Sequence, residues 1–133
     1  MPTIDRWGPA AWDFLHTVSF HFPEQPTPRD RREYKAFFQS LGAVLPCEKC
    51  RAHYVEYTNN HPIDLTGRGA LARWLVGVHN AVNRRHGKRE YSFVEAQALY
   101  SDDAMMVCDP TGRHRVLLLI AAVVIVFLVA KNK

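Results

Sequence analysis

Cysteine is scarce in this chain, with three residues in 133, at positions 47, 50 and 108. Three thiols cannot staple a small scaffold, which excludes a disulfide-rich secreted fold. Strict alternation of apolar and polar residues is also missing, since no period-2 run extends beyond a few residues, and this argues against a sheet. No internal repeat is present, so an array or solenoid is excluded. The first residues, MPTIDRWGPAAW, lack a basic region followed by an apolar run, and no signal peptide is read there.

A uniform charge excess is missing as well. The net charge is +4, yet residues 1–112 hold all 13 acids and 13 of the 17 Lys and Arg, so that part is formally neutral. The excess is Arg113, Arg115, Lys131 and Lys133. It therefore does not point to nucleic acid. These four bracket VLLLIAAVVIVFLVA, Val116 to Ala130, which is about 22 Å long as a helix against a hydrocarbon core of roughly 30 Å. Snorkelling of Arg115 and Lys131 and local thinning can close that gap. A run with no polar face and bare basic ends suits a membrane anchor better than a core helix. One anchor at this position leaves the preceding domain in the cytosol.

What is present is helical patterning in a chain of one-domain size. GPAAWDFLHTVSF and the two residues after it place Ala11, Phe14, Leu15, Val18 and Phe22 at helical spacing, with Pro9 suited to a first turn. Thr27, Pro28 and Asp30 open a second helix whose stripe is Tyr34, Phe37, Phe38, Leu41 and Leu45, and Pro46 ends or kinks it. A third helix is expected from about Cys47 to Thr58. Thr66 caps a fourth with the stripe Leu71, Trp74, Leu75, Val78 and Val82, closed at Gly87. Ser92 and Glu95 cap a short fifth. The fold class is all-α: a small four-helix bundle plus a short fifth helix over residues 1–101, a linker over 102–115, and one transmembrane helix over 116–130.

Cys47 and Cys50 lie three apart in the first turn of a helix, on one face and against the positive end of its dipole, which favours a reactive thiol. A structural zinc with His53 or His61 is the rival, although no second Cys or His pair stands at finger-like spacing. A c-type haem would need His where Arg51 stands, and a thioredoxin-like site would need a βαβ unit. Redox pair, zinc ligands and unrelated thiols all stay open on spacing alone. A second group, His79, Asn83 and His86, shares one helix face at i, i+4 and i+7, beside Trp74 and ahead of Arg84, Arg85, Lys88 and Arg89. Such a set suits a flat heteroaromatic carrying phosphates, or a seam with a solvated basic end. Trp12 and His16 form a third pair at i, i+4, and the three groups together suggest one pocket.

Taken together these residues resemble the Erv/ALR flavin-dependent sulfhydryl oxidases over about Ile4 to Tyr100. The resemblance rests on Trp12, Leu15 and His16, on Pro46, Cys47 and Cys50, and on Trp74, His79, Asn80, Val82, Asn83, Gly87 and Lys88, in order and at the family's spacing. It implies a helical bundle holding FAD noncovalently, usually as a homodimer. Cys50 would be the flavin-proximal thiol and Cys47 the one that exchanges with a protein dithiol or a thioredoxin-like relay. Electrons would pass to FAD and then to O2, giving hydrogen peroxide. Cofactor contacts are implied at Gly8, Trp12, His16, Trp74, His79, Asn80, Val82, Asn83, Lys88 and Tyr100. Small anchored members of this kind resemble those of large DNA viruses.

The chain departs from the family at several points. Val76 and Phe93 stand where many members carry a further disulfide, Pro9 replaces a frequent arginine, and Cys108 is the only candidate shuttle thiol. The alternative function is a non-enzymatic, membrane-anchored helical adaptor with a structural zinc at Cys47 and Cys50.

Overall fold

The computed structural model describes residues 4–101. Within them run five helices: α1 (Ile4–Phe20), α2 (Pro28–Val44), α3 (Glu48–Asn60), α4 (Arg68–Arg85) and α5 (Phe93–Tyr100). Helix α4 packs against α1, α3 and α5, and α2 packs against α3. The all-α expectation holds for the described residues. None of their helices is long and apolar enough to cross a membrane. The expected linker and span, 102–130, lie outside the described residues.

Local chemistry explains the boundaries. At α2 the Thr27 hydroxyl accepts from the Asp30 backbone N–H at 3.2 Å, and the Asp30 carboxylate accepts from the Thr27 N–H at 2.8 Å, a reciprocal box ahead of Pro28. Ser92 and Glu95 repeat it at α5. Both boxes were legible in the sequence. At α4 the expected cap is corrected. Thr66 bonds to the Asp64 carboxylate, through its N–H at 3.0 Å and its hydroxyl at 2.7 Å, so the cap position falls to Gly67 with no side-chain bond. Gly87 closes α4 at φ 63°, a left-handed conformation that favours glycine, and the turn brings the Lys88 N–H to the Asn83 carbonyl at 2.9 Å.

Helix α1 starts earlier than Pro9 implied, so that proline sits inside the helix. A proline there lacks one backbone bond and costs about 3 kcal/mol. Ile4, Trp7, Gly8, Ala11 and Trp12, at helical spacing, line the cavities between the helices, and Trp12 packs against the core.

The core is built from Leu15, Phe22, Phe38, Tyr54, Leu71, Leu75 and Val78. Expected stripes on α2 and α4 supply most of it. Phe14 does not belong: it is 58% exposed, reaching only the edge of Phe37 at 6.1 Å between centroids. Phe22 is fully buried, but from the turn after α1. Tyr54 is a core residue with a polar tip, and its hydroxyl donates to the Phe38 carbonyl at 2.7 Å, tying α3 to α2. Any side chain at Gly77 would collide with the Tyr57 hydroxyl, so α3 and α4 approach closely there.

Burial separates two phenylalanines that sequence placed alike. Phe38→Ala is expected to destabilise by about 3–5 kcal/mol, whereas Phe14→Ala should cost well under about 1 kcal/mol. Thermal melting of both variants checks this, and equal losses would contradict the core assignment.

Candidate functional site

Pro46 separates α2 from α3 and leaves Cys47 as the N-cap of α3, with extended backbone at φ −125° and ψ 119°. Its Sγ takes the role usually filled by a serine or aspartate oxygen, accepting from the Cys50 N–H at 3.2 Å. Cys47 and Cys50 form a disulfide, their Cα atoms 5.1 Å apart. Only Cys50 faces inward. It lines a cleft walled mainly by apolar and aromatic side chains, among them Trp7, Trp12, Leu41, Leu45, Tyr54, Tyr57, Val78 and Val82. Cys47 is not among the lining residues.

The apolar cleft continues into a more polar one. Ile4, Gly8, Trp12, Val82 and His86 line both, and the second adds Asp5, Asp13, His79, Asn83, Lys88, Tyr91 and Tyr100. One groove therefore runs from Cys50 to Lys88, with sulfur and aromatic rings at one end and amide, imidazole and ammonium at the other. Its walls are α1, the end of α2, α3, α4 and the segment from Gly87 through α5.

A rack of rings fixes the polar end. The Trp12 indole stacks on His79 at 3.9 Å between centroids and 9° between planes, and Tyr100 stacks on His16 at 4.3 Å and 9°. His16 Nε2 and His79 Nδ1 are 3.0 Å apart, a buried hydrogen bond between α1 and α4. Burial, with the other imidazole second, pushes the His16 pKa down to about 3. Burial and the nearby Lys88 charge push His79 down to about 4. Both rings are neutral at pH 7. His16 Nδ1 has no partner. A bare lone pair costs less there than a bare N–H, so His16 Nε2–H donates and His79 Nδ1 accepts.

Two other buried polar atoms lack protein partners among the described residues, Asn83 Nδ2 and Trp7 Nε1. Asn83 lines the polar end and Trp7 the apolar end. A buried amide donor left bare costs about 1–3 kcal/mol, which a ligand acceptor would recover. Asn80 has different work. Its side chain donates to the Tyr91 carbonyl at 2.8 Å and accepts from the Tyr91 N–H at 2.9 Å, holding Tyr91 over the groove.

Of the residues implied by resemblance, Gly8, Trp12, His79, Val82, Asn83, Lys88 and Tyr100 line the groove. His16 and Asn80 support it from behind, and Trp74 stands elsewhere. Trp74 lines a separate cavity with Phe38, Ile63 and Leu65, and its Nε1–H donates to the His61 carbonyl at 2.8 Å. Five residues of helix turn it about 140° away from His79, toward Phe38 and Ile63. The basic run is largely neutralised: Arg84 pairs with Glu90, Arg85 with Glu56 and Arg89 with Glu95. Lys88 lies 4.0 Å from Asp5, both exposed. Trp7, Tyr54, Tyr57 and Tyr91 were missed. Tyr54 and Tyr57 stand at i+4 and i+7 from Cys50, a signal the sequence did carry, whereas Tyr91 depends on the turn at Gly87 and on Asn80.

His53 lines the cleft, but His61 stacks on Tyr57 at 4.2 Å. Among the described residues no group of three or more His, Cys, Asp or Glu is placed to hold a metal ion. Val76 is buried, while Phe93 packs at 6.1 Å from Phe20 and 4.8 Å under the Arg73 guanidinium. Cys108 lies outside the described residues.

Comparison with known proteins gives a consistent result. The model of the Erv1 / Alr family matches residues 9–101. A probable FAD-linked sulfhydryl oxidase of Acanthamoeba polyphaga mimivirus is 38% identical over 95 residues, covering 69% of this chain and 66% of that protein. An FAD-linked sulfhydryl oxidase of African swine fever virus is 28% identical over 104 residues, covering 78% of this chain and 87% of that one. The crystal structure of the yeast Erv1 core is similar with a TM-score of 0.73 at 26% identity, covering 77% of this chain and 86% of that chain. The chain spans 45% to 66% of the length of several other curated relatives, the mimivirus protein included.

The neutral imidazole pair gives a pH dependence of definite sign. Between the ordinary histidine value near 6.5 and the folded values of about 4 and 3, the unfolded chain binds more protons than the folded one. Stability is therefore full above pH 6.5 and falls as pH drops, by on the order of 2 kcal/mol per buried histidine at pH 5. The lowered carboxylates, Asp30, Asp64 and Glu95, lose their contribution only at still lower pH. Thermal melting at pH 7 and pH 5 checks the sign, and an unchanged midpoint would mean that the pair is not buried and neutral.

Proposed function

The chain belongs to the Erv1 / Alr family, and from that premise we propose that it is an FAD-linked sulfhydryl oxidase forming disulfides in protein thiols. The observation that carries this reading is the Cys47–Cys50 disulfide placed across the end of α3, with Cys50 alone facing the aromatic cleft. The groove suits FAD on its own chemistry. A flat ring system fits between Trp12, Tyr54, Tyr57 and Val82 beside Cys50, and the bare Asn83 amide with Lys88 and Tyr91 offers donors to the polar remainder. Bound FAD supplies two-electron acceptance from the reduced cysteine pair and delivery to O2 as hydrogen peroxide.

The chain's own part is thiol exchange. A substrate thiolate attacks Cys47 Sγ, the Cys47–Cys50 bond breaks, and the electron pair leaves on Cys50. The second substrate thiol then attacks the substrate sulfur of the mixed disulfide and releases Cys47 as thiolate, where the Cys50 N–H already points at its Sγ. The substrate loses two electrons and two protons, and both electrons reside on the pair, with Cys50 on the cleft side. Tyr54, Tyr57 and Leu45 shield that side from water. The zinc adaptor is not favoured, because a metal would need both sulfurs free as thiolates and further ligands beside them.

The remaining expectations extend this reading. A homodimer is supported by apolar surface left on α1 and α2, where Phe14 is 58% and Val44 is 65% exposed. A membrane tether at 116–130, with the oxidase domain facing the cytosol, is supported by the apolar run between basic residues. Two viral relatives suit a viral setting, with viral protein dithiols as substrates.

Purified wild-type protein should be yellow and should oxidise dithiothreitol with release of hydrogen peroxide. Cys50→Ser and Cys47→Ser should each lose at least about 1000-fold in turnover while keeping flavin absorbance, since neither thiol holds the ring by itself. Retained turnover in either variant would defeat the assignment of the pair. Deleting residues after Arg113 should release the protein from membranes with flavin and dithiothreitol oxidation intact, because every groove residue lies before that point. Continued membrane sedimentation of the truncated chain would remove the tether.

A further inference from the structure

The residue after the redox pair reaches back across it. Arg51 is part-buried in the first turn of α3, and its Nη1–H donates to the Leu45 carbonyl at 2.6 Å, two residues ahead of Cys47. Its own N–H closes the first backbone bond of α3 on the Cys47 carbonyl at 3.0 Å. The guanidinium is thus anchored on the chain entering Cys47 and the backbone on Cys47 itself. The last turn of α2 carries no basic residue, and α3 carries none in its last turn. A permanent cation therefore stands at the junction where the negative end of α2 meets the positive end of α3.

We propose that Arg51 is a positioning residue that sets the redox poise of the Cys47–Cys50 pair, its tethered charge favouring Cys47 as thiolate once the disulfide is open. The inference rests on the oxidase reading given above. Opening the disulfide with a substrate dithiol moves two electrons into the S–S bond, forms the substrate disulfide, and leaves the charge of the released thiolate on Cys47 beside the Cys50 N–H. A fixed positive charge there lowers the free energy of the reduced form and makes the pair a stronger oxidant of substrate. The other ionisable groups near this end are exposed Glu48 and Lys49 on α3, of opposite sign, with His53, Arg85 and His86 around the cleft on the Cys50 side. If Arg51 served only to cap the end of α2, its loss would lower stability without moving the redox equilibrium.

The test uses the full chain with its flavin, held anaerobically in glutathione buffers of graded ratio, with the state of Cys47 and Cys50 read by thiol alkylation and mass. Arg51→Gln should shift the equilibrium about tenfold toward the disulfide, about 30 mV more reducing, whereas Arg51→Lys should restore most of the wild-type value. In a Cys50→Ser background, the midpoint of the alkylation rate of Cys47 against pH should rise in Arg51→Gln by about one pH unit. The wild-type midpoint in that background should also rise with added salt, which needs no Arg51 variant and so stands even if Arg51→Gln misfolds. An unshifted equilibrium in Arg51→Gln, an equal shift in Arg51→Lys, or a salt-insensitive midpoint would each overturn the proposal. Because the cysteines are read directly, failure of flavin turnover would count against the oxidase reading and not against this one.

Discussion

The 3.0 Å hydrogen bond between His16 and His79 is the contact on which the groove depends. It joins α1 to α4 through two imidazoles that are 0% and 6% exposed, and it is oriented where an apolar contact is not. Trp12 lies flat on one ring and Tyr100 on the other, so the bond also fixes the rotation of α1 and the docking of α5. An apolar pair in its place would fill the volume and leave the helices freer to slide. The pair demands neutrality, because one proton on either ring would place a charge in a buried site with no carboxylate bonded to it. Burial enforces that neutrality at working pH, helped by His79 at His16 and by the Lys88 charge at His79.

Polar groups around this contact divide by whether the protein satisfies them. Asn80 is paired at both ends with Tyr91 and serves to hold the chain after Gly87 in place. Asn83, one turn on and more deeply buried, keeps a bare amide donor at the groove. The same residue type thus builds the wall in one case and addresses the groove in the other. The arginines follow a similar division, since Arg84, Arg85 and Arg89 are absorbed by glutamates and Lys88 is turned over the groove by the Gly87 bend. Charge density in the sequence is therefore a poor guide to charge offered to a ligand.

What could be read in advance follows from the range of the interactions concerned. Capping boxes at Thr27 and Ser92, the breaks at Pro46 and Gly87, and the stripes of α2 and α4 depend on neighbours within four residues, and they stand in the structure as the pattern implied. Errors arose where a distant contact outweighs a local one. Pro9 signals a helix start, yet α1 runs through it from Ile4, with Gly8 buried and Trp12 packed on the core. Phe14 fits the stripe by spacing, but the core takes its neighbour Leu15 and leaves Phe14 outside. Thr66 has the chemistry of a cap and gives it to Asp64 instead. Trp74 stands five residues before His79, a turn of about 140° in helical phase, and lines a different cavity.

The asymmetry of the two cysteines has the same geometric origin. Residues three apart within a helix differ by about 60° in phase, so two fully helical cysteines would face nearly the same way. Cys47 escapes this because it is the N-cap of α3, with extended backbone outside the helical cylinder, while Cys50 keeps its helical direction toward the cleft. One bond then spans the boundary between the end of a helix, which favours negative charge on sulfur, and an apolar wall, which disfavours it. The proline, the cap and the three-residue spacing together place opposite electrostatic conditions on two sulfurs joined by one bond. A pair in the middle of a helix would have neither that polarity nor that two-sidedness.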